Sequence, residues 1–449
     1  MIFGSLLLKN SKHDFATEAA SAFLMNRWLI FPILSLALFI PSVTECHSRA
    51  LRAPAEAATC NTPTTPFCDA LMPPPIGWNG PVFNLSQNYP ANPGNEPKPW
   101  EQFQPDSQPA QYLAAVLNYF FEGNIRPSVE ASFDTSLNPV RKWYHVPWQD
   151  FGANGREFIH GLTRERSSRP GELHPNQSQL WTNYAVGFYN APGGFAIGRV
   201  WTNHDAPNAS LANMPEGTVA AKLLFTTAPV NEVPYLQGAP EWTGYIYRDV
   251  HNDRPQITFP RSPLKLRLLQ VDLAVKDDRV ANTTGWVFGT YVYGGGIDGS
   301  PGQGWNNVRP VGLMWGNDPN YSSTWSLTET KINPTVRLPH YGYQGRLNGP
   351  VDNPISSCLS CHATAQKPPG MMFPPAGSDP SRWFQNYKSG QPFDTGGIST
   401  DYSLQLSVGI ANFEASKAIP PASSPTAVRQ LRERLNRYSV PPRDGGLIH

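Results

Sequence analysis

Neither sign of charge is in excess in this chain: 35 Lys+Arg stand against 34 Asp+Glu, a formal net charge of +1. Such a balance creates no long-range field toward nucleic acid or an anionic membrane surface. Cysteine is scarce, five in 449 residues, which excludes a disulfide-stapled scaffold. No G-x-S-x-G and no H-E-x-x-H occurs. The glycine-rich "YGGGIDGSPGQG" (293–304) lacks the Lys-Ser/Thr ending of a phosphate-binding loop and reads as a plain loop. Long apolar runs are few. The one near the N-terminus, "WLIFPILSLALFIPSV" (28–43), has 16 residues and contains Pro32 and Pro41, which is short and broken for a spanning helix.

That run follows "MNR" and precedes "TECHSRA", so it reads as a secretory signal peptide rather than a membrane anchor. Residues 1–50 are then an upstream extension plus the signal. Lys9, Lys12, Asp14 and Glu18 lie upstream of anything a signal needs, and Met25 is an alternative start. Cys46 follows Val-Thr-Glu, without the small residue expected before a lipidated cysteine, and no membrane contact is expected once the signal is removed. Cys60 and Cys68 are spaced either to close a small disulfide loop or to remain two free thiols.

What is plentiful is proline (47), glycine (37) and tryptophan (13), the composition of a loop-rich β protein. Residues 51–124 form a Pro/Asn-rich wrapping segment ending in a helix. In "QPAQYLAAVLNYFFEGN" (108–124), Pro109 opens the helix, Tyr112, Val116, Tyr119 and Phe120 share a face, and Gly123 stops it. Residues 125–345 read as a β-rich domain. "TVAAKLLFTT" (218–227), "WTGYIY" (242–247) and "GWVFGTYVYG" (285–294) are strand-like, and "NYAVGFYNAPGGFAIGRVW" (183–201) suggests two strands around a Pro-Gly-Gly turn. In "LKLRLLQVDLAV" (264–275) the apolar alternation shifts phase at Leu268–Leu269, the signature of a β-bulge. The expected fold is mixed α+β: a large antiparallel β-sandwich-like body followed by a small, mainly helical C-terminal unit at 346–449. In that unit "TDYSLQLSVGIANFEASK" (400–417), with Asp401 as N-cap, "SPTAVRQLRERLNRY" (424–438) and the short "SRWFQNYK" (381–388) are the helix candidates.

At the front edge of that unit stands "NPISSCLSCHATAQ" (353–366), with Cys358, Cys361 and His362 in C-x-x-C-H spacing. Two thiols so separated can bond the two vinyl groups of one porphyrin, and the adjacent imidazole is then placed at the iron. A structural zinc site would need four ligands, and no other C-x-x-C exists here. A thioredoxin-like pair would need a βαβ setting that "GPVDNPISS" does not provide. A disulfide between residues three apart is awkward.

The stretch "SSCLSCHATAQ" resembles the haem segment of bacterial c-type cytochromes, closely over about five residues and loosely over the last hundred. The resemblance implies one covalent haem c with its iron, Cys358 and Cys361 as attachment points, and His362 as proximal ligand. It implies export to the bacterial periplasm and electron exchange with a redox partner protein. The sixth iron ligand is open among Met371 and Met372 in "PPGMMFPP", His340, His160, or none. The alternative is a haem oxidoreductase or peroxidase-like enzyme with an open sixth position. Its substrate would lie between β body and haem, with His160 and Arg156 as distal groups. The tryptophan-rich body could also take a small-molecule ligand of its own.

Overall fold

The computed structural model describes residues 67, 78, 80–81, 83–149, 159, 162–247, 261–295, 303–321, 326–336 and 341–417. The signal-like run, Met25, Cys46, Cys60, Cys68, Arg156, His160, His340 and the candidate helix 424–438 lie outside the described residues.

The centre is one antiparallel sheet of eight strands: β1 (Leu162–Arg164), β2 (Asn183–Tyr189), β3 (Val219–Thr226), β4 (Glu241–Tyr247), β5 (Arg261–Lys276), β6 (Trp286–Tyr293), β7 (Val308–Met314) and β8 (Thr330–Ile332). The order is β1-β2-β3-β5-β6-β7-β8, with β4 paired to the first half of β5. The large antiparallel body is thus as expected, but among the described residues no second sheet packs on it as in a sandwich. Each strand needs a buried face, and here helices and irregular chain cover the sheet instead of a second sheet.

The bulge falls where the sequence places it. Leu224 pairs Gln270 while the next residue, Phe225, pairs Leu268, so Leu269 is the extra residue. Leu266 and Leu268 before it, Leu269 itself, and Val271, Leu273 and Val275 after it therefore all enter the same hydrophobic cluster. Without the extra residue the second set would turn to the opposite face.

That cluster includes the buried face of α1 (Pro109–Phe121), and the short α2 (Pro127–Glu130) follows, its Glu130 carbonyl accepting from Trp242 Nε1 at 2.7 Å. Pro109 occupies the first turn of α1, Tyr112, Val116, Tyr119 and Phe120 are buried, and Gly123 ends the turn at φ +82°. Gly289 in β6 lets Leu113 approach closely, and the Tyr291 hydroxyl donates to the Leu113 carbonyl at 2.8 Å. Trp100, Trp143 and Trp201 are fully buried, and Trp242, Trp286 and Trp305 nearly so. They are core residues.

The Pro-Gly-Gly stretch is a helix, α3 (Ala191–Val200), not a hairpin turn. Asn190 caps it, its Oδ1 also accepting from Val219 N at 2.9 Å, and Pro192 stands in the first turn, where proline is favoured. Gly193 and Gly194 leave room for Tyr189 and Tyr144, which a side chain would strike.

The opposite face of the sheet carries the C-terminal region. Described there are α4 (Cys358–His362), a two-stranded ribbon of β9 (Gln366–Lys367) and β10 (Ile398–Ser399), and α5 (Leu404–Lys417). A 3-10 turn covers Ser381–Phe384, and the rest is turns and loops. The described part of this unit is therefore less helical than expected. Pro368, Pro369, Pro374, Pro375 and Pro380 remove backbone donors and break the pattern. The cap of α5 is Ser403, whose Oγ accepts from Leu406 N at 3.1 Å. Asp401 and Tyr402 precede it in left-handed conformation, φ +49° and +64°. One hydrophobic cluster joins Tyr189, Ala274 and Phe288 of the sheet to Leu359, Ala363, Tyr402 and Leu406, so it runs across the boundary placed at 345/346. No helix among the described residues is long and apolar enough to cross a membrane.

Candidate functional site

The C-x-x-C-H segment folds as a helix because its serines cap it. Ser357 Oγ accepts from Ser360 N at 3.1 Å, and Ser360 Oγ accepts from Ser357 N at 2.8 Å, a reciprocal capping box. Ser357 Oγ also donates to Asn317 Oδ1 at 2.9 Å. The buried Arg346 guanidinium holds that turn through the carbonyls of Asn317 (2.7 Å) and Asp318 (2.9 Å). At i, i+3 and i+4, Cys358, Cys361 and His362 share one face of α4. Leu359 is fully buried in the cluster beneath.

All three side chains line one cavity, which encloses about 1660 Å³ of space free of protein atoms, its open mouth included. The floor is the sheet. Register places Gly187, Lys222, Asp272 and Thr290 in one row across β2, β3, β5 and β6, with Tyr189, Ala220, Ala274 and Phe288 in the next. Gly187, Ala185, Ala220 and Ala274 keep that floor shallow; a Cβ on Gly187 would collide with the Gln405 side-chain amide. Leu404, Gln405 and Val408 of α5, with Met372 and Phe373, form another wall.

His362 is oriented from forty residues away. Its Nδ1 lies 2.9 Å from the Tyr402 carbonyl, and since a carbonyl only accepts, Nδ1 carries the proton and Nε2 is left as a lone-pair donor. The left-handed pair Asp401–Tyr402 presents that carbonyl. Asp401 is itself buried, its carboxylate accepting from Met214 N (2.7 Å), Ser389 Oγ (2.8 Å) and Trp286 Nε1 (3.0 Å). The Phe288 ring packs 4.8 Å from the imidazole. Burial pushes His362 down to about 4, so it is neutral at pH 7, the form that ligates metal.

Both thiols are free. Burial, followed by the nearby Asp272 and Asp352, pushes Cys358 well up; burial, followed by Asp352, raises Cys361 to about 12. They are neutral thiols, the opposite of what a thioredoxin-like pair requires. Among the described residues no three His, Cys, Asp or Glu side chains are grouped to hold a bare metal ion, which a structural zinc site would need. Two thiols one turn apart, a neutral imidazole with its Nε2 unbonded to any described residue, and a shallow floor fit a covalently attached haem.

Met372 lines the cavity, whereas Met371 does not and is 54% exposed. Arg164 and Arg166 border the cavity. Arg166 pairs with Glu172 at 2.5 Å and donates to the Val351 carbonyl at 2.9 Å, tying the chain before α4 in place. Residues that the sequence reading missed are Lys222, Asp272, Glu165 and Asp352, all on the cavity wall. A signal existed for two of them: Lys222 in "AAKLLF" and Asp272 in "QVDLAV" are lone charges inside apolar strands. No comparable signal marks Tyr402 or Asp401, whose role depends on backbone conformation.

The chain matches no protein-family model, no curated protein and no solved structure.

Proposed function

We propose that this chain is an exported monohaem c-type cytochrome that transfers electrons to or from a redox partner protein. One observation carries the reading: two free thiols and a neutral imidazole, its Nδ1 held by the Tyr402 carbonyl, line the same cavity. Haem, when bound, supplies a one-electron iron couple. Cys358 and Cys361 would hold it as thioethers. Tyr402 keeps the His362 ring in one tautomer and one orientation, and the hydrogen bond makes the imidazole a more basic ligand. Leu404, Val408 and Phe373 supply apolar lining to the cavity.

Charge state narrows the sixth ligand among the described lining residues. Burial pulls Lys222 down, but Glu165, Asp352 and Asp272 outweigh it and the net direction is up, so its amine stays protonated and has no lone pair to offer. Tyr189 is pushed up to about 12 by burial, and its hydroxyl is engaged with Ser403 Oγ at 2.7 Å. Met372 needs no deprotonation and is the thioether on the wall, so it is our candidate.

A reduced-minus-oxidised spectrum, with and without carbon monoxide, tests the reading. We expect a c-type haem spectrum, and slow or negligible carbon monoxide binding to the reduced protein. Rapid binding would mean an open position and favour an enzyme instead. Met372→Ala is expected to abolish the ferric methionine–iron band and admit carbon monoxide, and Met371→Ala to change neither. An unchanged band in Met372→Ala would refute the ligand assignment.

A further inference from the structure

Electron transfer alone does not call for the charged row on the cavity floor. Lys222 Nζ lies 3.7 Å from Glu165 Oε1, and Asp272 and Asp352 are also close enough to act on it. Asp272 accepts from Thr290 Oγ1 at 2.9 Å, and its two oxygens accept from Gln270 Nε2 at 2.8 and 2.6 Å. The Thr290 hydroxyl in turn lies 3.7 Å from Cys358 Sγ. Gln270 is fully buried, and its Oε1 has no hydrogen-bond partner. That bare acceptor sits on the residue that binds Asp272, where a protonated carboxyl or a water could donate to it.

Three carboxylates therefore act on one ammonium in a part-buried setting, where a carboxylate is harder to keep ionised than in water. Every wall of the cluster contributes: Arg164, Glu165 and Arg166 at the end of β1, Lys222 from β3, Asp272 from β5, and Asp352 from the chain before α4. The neighbouring β2 and β6 present only Gly187 and Thr290 in this row.

We propose that this cluster, with Asp272 at its centre, is a proton-binding site coupled to the redox state of the haem, so that the protein takes up a proton when it is reduced. The inference rests on haem attachment at Cys358 and Cys361. An electron from the partner protein lowers the charge of the iron by one, a proton from solvent enters the cluster, and net charge is conserved in the cavity. Thr290 links Asp272 to the Cys358 sulfur, so the carboxyl would lie near a haem attached there, and Asp272 makes no hydrogen bond to His362. Burial raises Asp272 above the usual carboxylate range; Lys222 lowers it and Asp352 raises it again. The added positive charge of the ferric state favours the carboxylate, and reduction favours the acid. The midpoint potential should consequently fall as pH rises from acid toward neutral. The limiting slope for one proton per electron is about 59 mV for each tenfold change in proton concentration.

The test is spectroelectrochemical titration of the haem-loaded protein from acid to neutral pH, in wild type and in Asp272→Asn, which keeps the shape and removes the titration. We expect a sloping potential in wild type and a flattened one in the variant. Reduced-minus-oxidised infrared spectra of the wild type, in H₂O and D₂O, provide a second readout that needs no variant. They should show a protonated carboxyl signal on reduction. A flat wild-type potential, no carboxyl signal, or an Asp272→Asn slope equal to wild type would overturn the proposal while leaving the haem reading intact. Haem content is measured on the same sample, and its absence would overturn both.

Discussion

Replacing both thiols, Cys358→Ser with Cys361→Ser, is expected to take covalently retained haem from one per chain to none. The basis is local and geometric. Both sulfurs line the cavity, both are free, and no other described cysteine stands near it. In denaturing gels stained for haem peroxidase activity, the wild-type band should vanish in the double variant. Either single variant should retain haem through one thioether. Its reduced pyridine complex should absorb to the red, because one vinyl group stays conjugated with the ring. The fold is expected to survive the substitutions, because the helix is held by the Ser357–Ser360 capping box and by the buried Leu359. Retention of covalent haem by the double variant would show that attachment lies elsewhere.

The second large effect is expected at Asp401. Its carboxylate receives three hydrogen bonds, from the Met214 amide, the Ser389 hydroxyl and the Trp286 indole, with the residue 1% exposed. Asp401→Ala would leave two buried donors, the Met214 amide and the Trp286 indole, without an acceptor at about 1–3 kcal/mol each, and free the part-buried Ser389 hydroxyl. It would also put alanine at φ +49°, a region aspartate tolerates better. We expect a loss of about 3 kcal/mol or more in urea unfolding, with Asp401→Asn losing less, since the amide oxygen still accepts. The Tyr402 carbonyl should lose its fixed position, so the variant's haem should also shift in potential and in ligand-field bands. A loss under about 1 kcal/mol with an unchanged spectrum would mean that the loop is held by other contacts.

These two sites show how unevenly the sequence discloses the molecule. The C-x-x-C-H helix is written locally, down to its serine caps. Helix α1 and the bulge at Leu269 were legible because one periodicity, or one break in it, suffices to state them. What covers the sheet was not legible. An apolar alternation says that a strand has a buried face and is silent on whether a second sheet or irregular chain buries it. The Asn-Ala-Pro-Gly-Gly stretch misled because its turn residues also suit a helix start, and only the caps at Asn190 and the tyrosines against Gly193 and Gly194 decide. The cavity itself is non-local: α4 brings the sulfurs, Tyr402 the carbonyl, and Gly187, Ala220 and Ala274 the floor.

The central claim meets its most direct test in the intact mass of the denatured protein, purified from a bacterial host with haem-attachment machinery. Attachment through Cys358 and Cys361 predicts a polypeptide heavier by the mass of one haem, with the increment located by proteolysis to the peptide containing residues 353–366. A chain of unmodified mass, loaded under conditions that mature other c-type cytochromes, would contradict it.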